Sequence, residues 1–252
     1  MATGTQILIK NAAFESFAVG YVPPVVDNLE GWFFINETLA KAARNWAGED
    51  KSDGVFGGAP ATSNRFFSFD PVNRGDYLAT AIDETAEMTV LGVIRSTDSL
   101  DGTLTKPFFI TNNNTGFSAG TPSRKSPGFS LYAASTTALS MQAARWTGSA
   151  TAVETIGITH NFSNWSFVCA RVSNAQKSVW SLSSSQRADA ASSNPRDPAL
   201  AKMRIGAALN TLNNGKSDIA FASIYSRFLT DAEVQAVYAR VQAYLAPRTI
   251  SI

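Results

Sequence analysis

The sequence predicts an all-β fold: an antiparallel jelly-roll β-sandwich with an N-terminal arm and one C-terminal helix. Three observations carry that expectation. Short apolar runs rich in Phe, Val, Ile and Trp recur at hairpin-like spacing, separated by Gly, Asn, Asp, Ser and Pro clusters. Charged residues make up only 16% of the 252, below the usual quarter, while 44% are hydrophobic, enough for a substantial core. One clear helical pattern stands near the end of the chain.

Residues 1–28 read as an arm, a docking segment outside the sandwich. "QILIK" (6–10) has the character of one strand, and "GYVPPVVDN" (20–28) holds a Pro pair that breaks regular structure. Phe14, Phe17 and Tyr21 have no evident place in a jelly roll. The sandwich is expected over 29–252. "LEGWFFI" (29–35) reads as a buried aromatic strand, a turn-rich stretch follows, and "RFFSFD" (65–70) and "DYLATAI" (76–82) are short strands. "EMTVLGVIRS" (87–96) is the best central strand, with Met88, Val90, Gly92 and Ile94 on one face and Thr89, Leu91 and Val93 on the other. Two largely apolar faces mean a strand packed on both sides.

Further strands are expected at "KPFFIT", "GFSLYAA", "ALSMQAARW", "NWSFVCARV", "KSVWSLS" and "AKMRIGAAL". Residues 111–128 and 183–199 read as long polar loops, and loops of that length are commonly functional. In "DIAFASIYSRFLTDAEVQAVYARVQAYL" (218–245), Ile219, Phe221 and Tyr225 alternate with Ala220, Ala222 and Ile224, a strand signature. Thr230 and Glu233 then form a capping box, and Val234, Val237, Tyr238, Val241 and Leu245 follow at helical spacing, predicting a helix over 230–246. One such stripe cannot be buried alone, so the helix must lie on the sandwich.

Net charge is +1, from 21 basic and 20 acidic residues without a run of either sign, which argues against a nucleic-acid partner. No charged n-region with an apolar h-region opens the chain, so no signal peptide is expected. No 18-residue apolar run occurs, so no membrane partner is expected either. The single cysteine, Cys169, excludes an internal disulfide and reads as a buried, inert thiol.

"SDIAFASIYSRFLTDAEVQAVY" (217–238) resembles the closing strand and helix of the laminin-G-like, or concanavalin A-like, jelly roll. Ile219, Ala220, Ile224, Tyr225, Arg227, Leu229, Thr230 and Glu233 fill the family's places. "GVFGGAPATSNRFFSFD", "DYLATAI", "EMTVLGVIRS", the hairpin "WSFVCARVSNAQKSVWSLS" and "MRIGAALN" are similar to its other pieces, in the right order, over about residues 29–246. The N-terminal "ILIKNAAFESFAVGYVPPVVDNLEGWFF" is similar to proteins of phage and prophage tail regions. The resemblance implies a virion or tail location, neighbouring virion proteins as partners and, from the symmetry common there, a homo-oligomer with a trimer as the expectation.

The same jelly roll carries glycosidases, whose acid and nucleophile must share one face about 5–5.5 Å apart in retaining enzymes. In "DETAE", Asp83 and Glu84 would point to opposite faces and Thr85 stands where a carboxylate is needed, so no enzyme is expected. With one His and one Cys, neither a Cys–His nucleophile pair nor a zinc site is expected, and His160 reads as a loop residue. No cofactor is required. Calcium, which many members of the resembled family hold at the rim, has candidate ligands by type in Asp53, Asp101, Asn112, Asn113, Asn213 and Asp218. A host surface glycan is the expected ligand, read by an aromatic face beside planar polar groups: Trp146, Arg145, Asn112, Asn113, Asn213 and Asn214. Trp32, Trp165 and Trp180 lie in runs that read as core strands and are set aside. The alternative is a structural decoration or assembly subunit anchored by the arm.

Overall fold

The computed structural model describes residues 21–113, 116–121, 123–209 and 215–252. In chain order the strands are β1 (Leu29–Phe34), β2 (Val55–Gly57), β3 (Ala61–Thr62), β4 (Phe67–Phe69), β5 (Tyr77–Ala79), β6 (Met88–Arg95), β7 (Phe108–Thr111) and β8 (Phe129–Ser135). They continue as β9 (Ala138–Trp146), β10 (Thr151–Thr159), β11 (Ser166–Val172), β12 (Gln176–Ser181), β13 (Gln186–Ala191), β14 (Arg204–Ile205) and β15 (Ser217–Tyr225). Helices α1 (Leu39–Ala43) and α2 (Pro71–Arg74) are short, and α3 (Asp231–Leu245) is long.

The strands form two antiparallel sheets. One runs β13-β12-β11-β6-β15-β4-β3 with β1 also beside β15; the other runs β10-β9-β8-β7-β14-β5-β2. Along one edge of β15, residues 217–219 pair with β4 and 221–225 pair with β1. The fold is a jelly-roll sandwich with a C-terminal helix.

Strand β6 shows why the first sheet is buried on both sides. Met88, Val90 and Ile94 face the second sheet, packing with Phe69, Phe109, Phe129 and Met141. Leu91 and Val93 face outward with Trp32, Phe167 and Phe221, where Val234, Val237, Val241 and Leu245 of α3 cover them. The capping box is present: Thr230 Oγ1 accepts from the Glu233 amide, and Glu233 accepts from the Thr230 amide at 2.8 Å. Arg227 grips the Glu233 carboxylate with two bonds of 2.9 and 2.6 Å and holds its pKa down to about 2. Buried Arg171 donates to the Leu229 carbonyl and Asp231, tying the start of α3 to β11. Burial pushes the Cys169 thiol up to about 12, leaving it inert.

Four details depart from the sequence reading. A register shift between Ile219 and Phe221 puts Ile219 in the core between the sheets and turns both Ala220 and Phe221 toward α3, so the simple alternation fails there. Residues 183–199 are not one loop, because β13 lies within them as an edge strand. Strand β10 forms the other sheet's edge and was not expected; Glu154 on its inward-facing side breaks the apolar pattern. Tyr21 does have a place: its ring meets Trp32 at 5.5 Å and Phe34 at 5.0 Å, and the Val25 carbonyl accepts from Tyr225. "QILIK", Phe14 and Phe17 lie outside the described residues.

Candidate functional site

At one end of the β9 strand, a buried polar frame locks three loops together. Glu84 has no exposed side-chain surface and pairs with Arg196. It also accepts from the Asn112 amide and the Ala199 backbone N–H, both at 2.8 Å. Asn112 completes itself by donating to the Ala201 carbonyl at 2.9 Å and accepting from the Phe129 N–H at 2.7 Å. Gly128 fits beside it because its φ is +74° and a Cβ there would stand 2.3 Å from Asn112 Oδ1. Arg196 Nη1 donates to the Ala144 carbonyl, and Arg145 Nη1 donates to the carbonyls of Ser173 and Asn194 at 2.6 and 3.1 Å. Burial, and secondarily the Arg196 charge, lower the pKa of Arg145.

Arg145 and Asn112 therefore do not present their side chains to a ligand: both are fully buried. For Arg145 the reason is the pleat. Neighbouring residues on a strand point to opposite faces, so Trp146 and Arg145 cannot both face a ligand. The hydrogen bonds of Arg145 and Asn112 tie neighbouring loops together.

Above the frame sits the rim. Asp197 accepts from Arg124 at 3.1 and 2.5 Å, from Ser118 at 2.5 Å and from Thr151 at 2.6 Å. Burial opposes its ionisation, but these donors outweigh it and hold its carboxyl below the usual range. Thus fixed, the Arg124 guanidinium lies 3.8 Å from the centre of the half-buried Trp146 ring. Leu200 donates its N–H to the Phe117 carbonyl, and both side chains are about half exposed, at 50% and 49%. Arg124, Phe117 and Asp197 escaped the sequence reading because nothing local signals a pairing between residues 73 apart. Asn113 follows the buried Asn112, donating its N–H to Thr111 and accepting from Leu209. Asn213 and Asn214 lie outside the described residues.

The acidic run before β6 is divided. Asp83 pairs with exposed Lys202 at 2.6 Å, whereas Glu84 is committed to the frame. The described carboxylates among the calcium candidates are taken up by other partners. Asp53 accepts from Asn45, Asp101 from Ser99, and Asp218 from Arg95 and Ser68. Among the described residues no three His, Cys, Asp or Glu side chains come together.

Open clefts lie elsewhere, three of them bounded by residues named in the sequence analysis. One of about 390 Å³ is bounded by Tyr21, Trp46 and Asp53, and one of about 360 Å³ by Glu30, Lys51 and Asp83. The third, about 660 Å³, is lined by Arg95, His160 and Trp165 among others. Trp165 stands one position before β11, half-buried, packing against the core beneath α3 while lining this cleft, with Arg95 4.7 Å from its ring. His160 is 4% exposed, and neither ring nitrogen has a partner among the described residues. Such a group costs about 1–3 kcal/mol. Desolvation pulls its pKa down to about 4, so it is neutral near pH 7.

No family model matches the chain, and no curated protein matches its sequence. Solved structures do match in fold. The binding domain of botulinum neurotoxin DC in complex with SialylT superposes with a TM-score of 0.63 at 11% identity, over 86% of this chain and 52% of that one. The same domain in complex with rat synaptotagmin II gives 0.62 at 11%, over 86% and 53%. The botulinum neurotoxin serotype D binding domain gives 0.59 at 12%, over 86% and 52%. The chain thus spans about half the length of these solved chains, and the likeness is one of fold.

Proposed function

We propose that this chain is a non-enzymatic binding module of a phage tail or virion surface that contacts host surface carbohydrate. The observation that carries the reading is the rim: Trp146 stacked by Arg124, with half-exposed Phe117 and Leu200 on the loops that carry Arg124 and Asp197, above a frame of buried, hydrogen-bonded groups. An aromatic ring beside fixed hydrogen-bond donors suits a sugar's C–H face and hydroxyls, and loops held from beneath lose little entropy on binding. Trp146 and Asn113 are the proposed contacts from the sequence set, with Asn213 and Asn214 belonging to the same proposal. Arg145 and Asn112 position the loops. That solved domains of this fold are receptor-binding, one with SialylT and one with synaptotagmin II, supports a binding role. The tail setting rests on the N-terminal resemblance, and residues 1–28 as an anchor to neighbouring virion proteins belong to it.

The test is binding of Trp146→Ala to host cells bearing their polysaccharide, beside the wild-type chain. A loss of about tenfold or more in affinity with unchanged folding supports the rim. Equal binding by both proteins removes it as the contact.

A further inference from the structure

The 660 Å³ cleft lies outside the rim just described, and its chemistry is one-sided. Its walls carry hydroxyls and amides, among them Asn161, Asn164 and Ser184, one half-buried indole, Trp165, and one cation, Arg95; no Asp or Glu lines it. The volume falls within the usual range for small-molecule sites.

Arg95 is built in. Its guanidinium is 4.9 Å from the Phe66 ring and 4.7 Å from the Trp165 ring, and Asp218 takes its Nε at 2.7 Å. Asp218 is itself fixed by the Ser68 hydroxyl at 2.5 Å. Among the described residues the two terminal nitrogens of Arg95 have no acceptor, so the fork offers donors without offering a net charge. His160 also lines the cleft, but it is 96% buried: both ring nitrogens lie beneath the surface and its ring packs on Phe162, centroids 4.8 Å apart.

We infer that this cleft is a second saccharide site, in which a sugar ring lies against Trp165 and its hydroxyls meet Arg95 and Asn164. No Asp or Glu lines the cleft to supply the hard anionic ligands that a divalent cation prefers. The inference rests on the reading of the chain as a glycan-binding module and adds a site to it.

The test is titration of the full chain with methyl glycosides of glucose, galactose, mannose and N-acetylglucosamine. It is followed by the indole N–H signals of Trp165 and Trp146 in a two-dimensional NMR spectrum. Asn164 is exposed, so Asn164→Trp fills the cleft without touching the core, and Asn164→Ala removes the amide alone. We expect a saturable shift of the Trp165 signal with at least one glycoside. It should weaken at least about tenfold in Asn164→Trp, weaken less in Asn164→Ala, and persist in Trp146→Ala. A Trp165 signal that no glycoside moves, or a shift that survives Asn164→Trp unchanged, overturns the inference. If glycosides move only Trp146, the cleft fails and the rim stands. If they move only Trp165, the rim fails and the cleft stands.

Discussion

Acidification from pH 7.5 to 5.0 should destabilise this protein through one side chain, His160. The chain has a single histidine, so the effect is assignable. Desolvation lowers the folded-state pKa from 6.5 to about 4, and no charged neighbour contributes to the shift. The unfolded chain therefore binds a proton in this window that the folded chain refuses, and stability falls as pH falls. The full shift, at about 1.36 kcal/mol per pKa unit, corresponds to about 3 kcal/mol, lost progressively between about pH 6.5 and 4. From pH 7.5 to 5.0 the linkage gives about 2 kcal/mol. Carboxylates titrate mainly below that window. The assay is denaturant unfolding at several pH values, with the imidazole Cε1–H resonance followed in the folded state. His160→Leu should flatten the slope between pH 7.5 and 5.0. A folded-state imidazole that titrates near 6.5, or a wild-type stability flat across the window, would refute the reasoning.

Three other outcomes are expected. Glu84→Gln leaves Arg196 buried without its counter-charge and should lower unfolding free energy by about 3–5 kcal/mol in urea titrations. Gly128→Ala forces a side chain onto a φ of +74° and against Asn112, so it should lower the melting temperature measurably. Glu233→Gln weakens the α3 cap and its Arg227 pair, costing about 1–2 kcal/mol by the same unfolding assay. Because the folded pKa of Glu233 is depressed to about 2 from 4.5, its contribution is present above about pH 4.5 and disappears as pH falls toward 2.

Much of the fold was legible because its strongest elements are locally consistent. Strand β6 shows two apolar faces in sequence, and both are buried, one against the second sheet and one under α3. The capping box at Thr230 fixed the start of α3 by spacing alone. What stayed hidden depends on distant partners. Strand β13 reads as a loop because "QRADAA" has no large apolar residue, and as an edge strand it needs none. Strand β10 turns Glu154 inward, tolerable only because Arg145, Lys177 and Ser192 meet it. At the rim, Trp146 could be picked out from a strand end beside a glycine turn. That Arg124 covers it, and that Asn112 and Arg145 are buried, follows from chain segments brought together only by folding. Trp165 packs against the core, as the apolar run beside it implies, and its position before β11 also puts it at a cleft, which the run alone does not show.

The most direct test of the glycan-binding account is binding of the labelled chain to host cells with and without their surface polysaccharide, in calcium and in chelator. The account predicts saturable binding that vanishes with the polysaccharide and persists in chelator. Absence of binding under every condition would contradict it and favour a structural virion subunit.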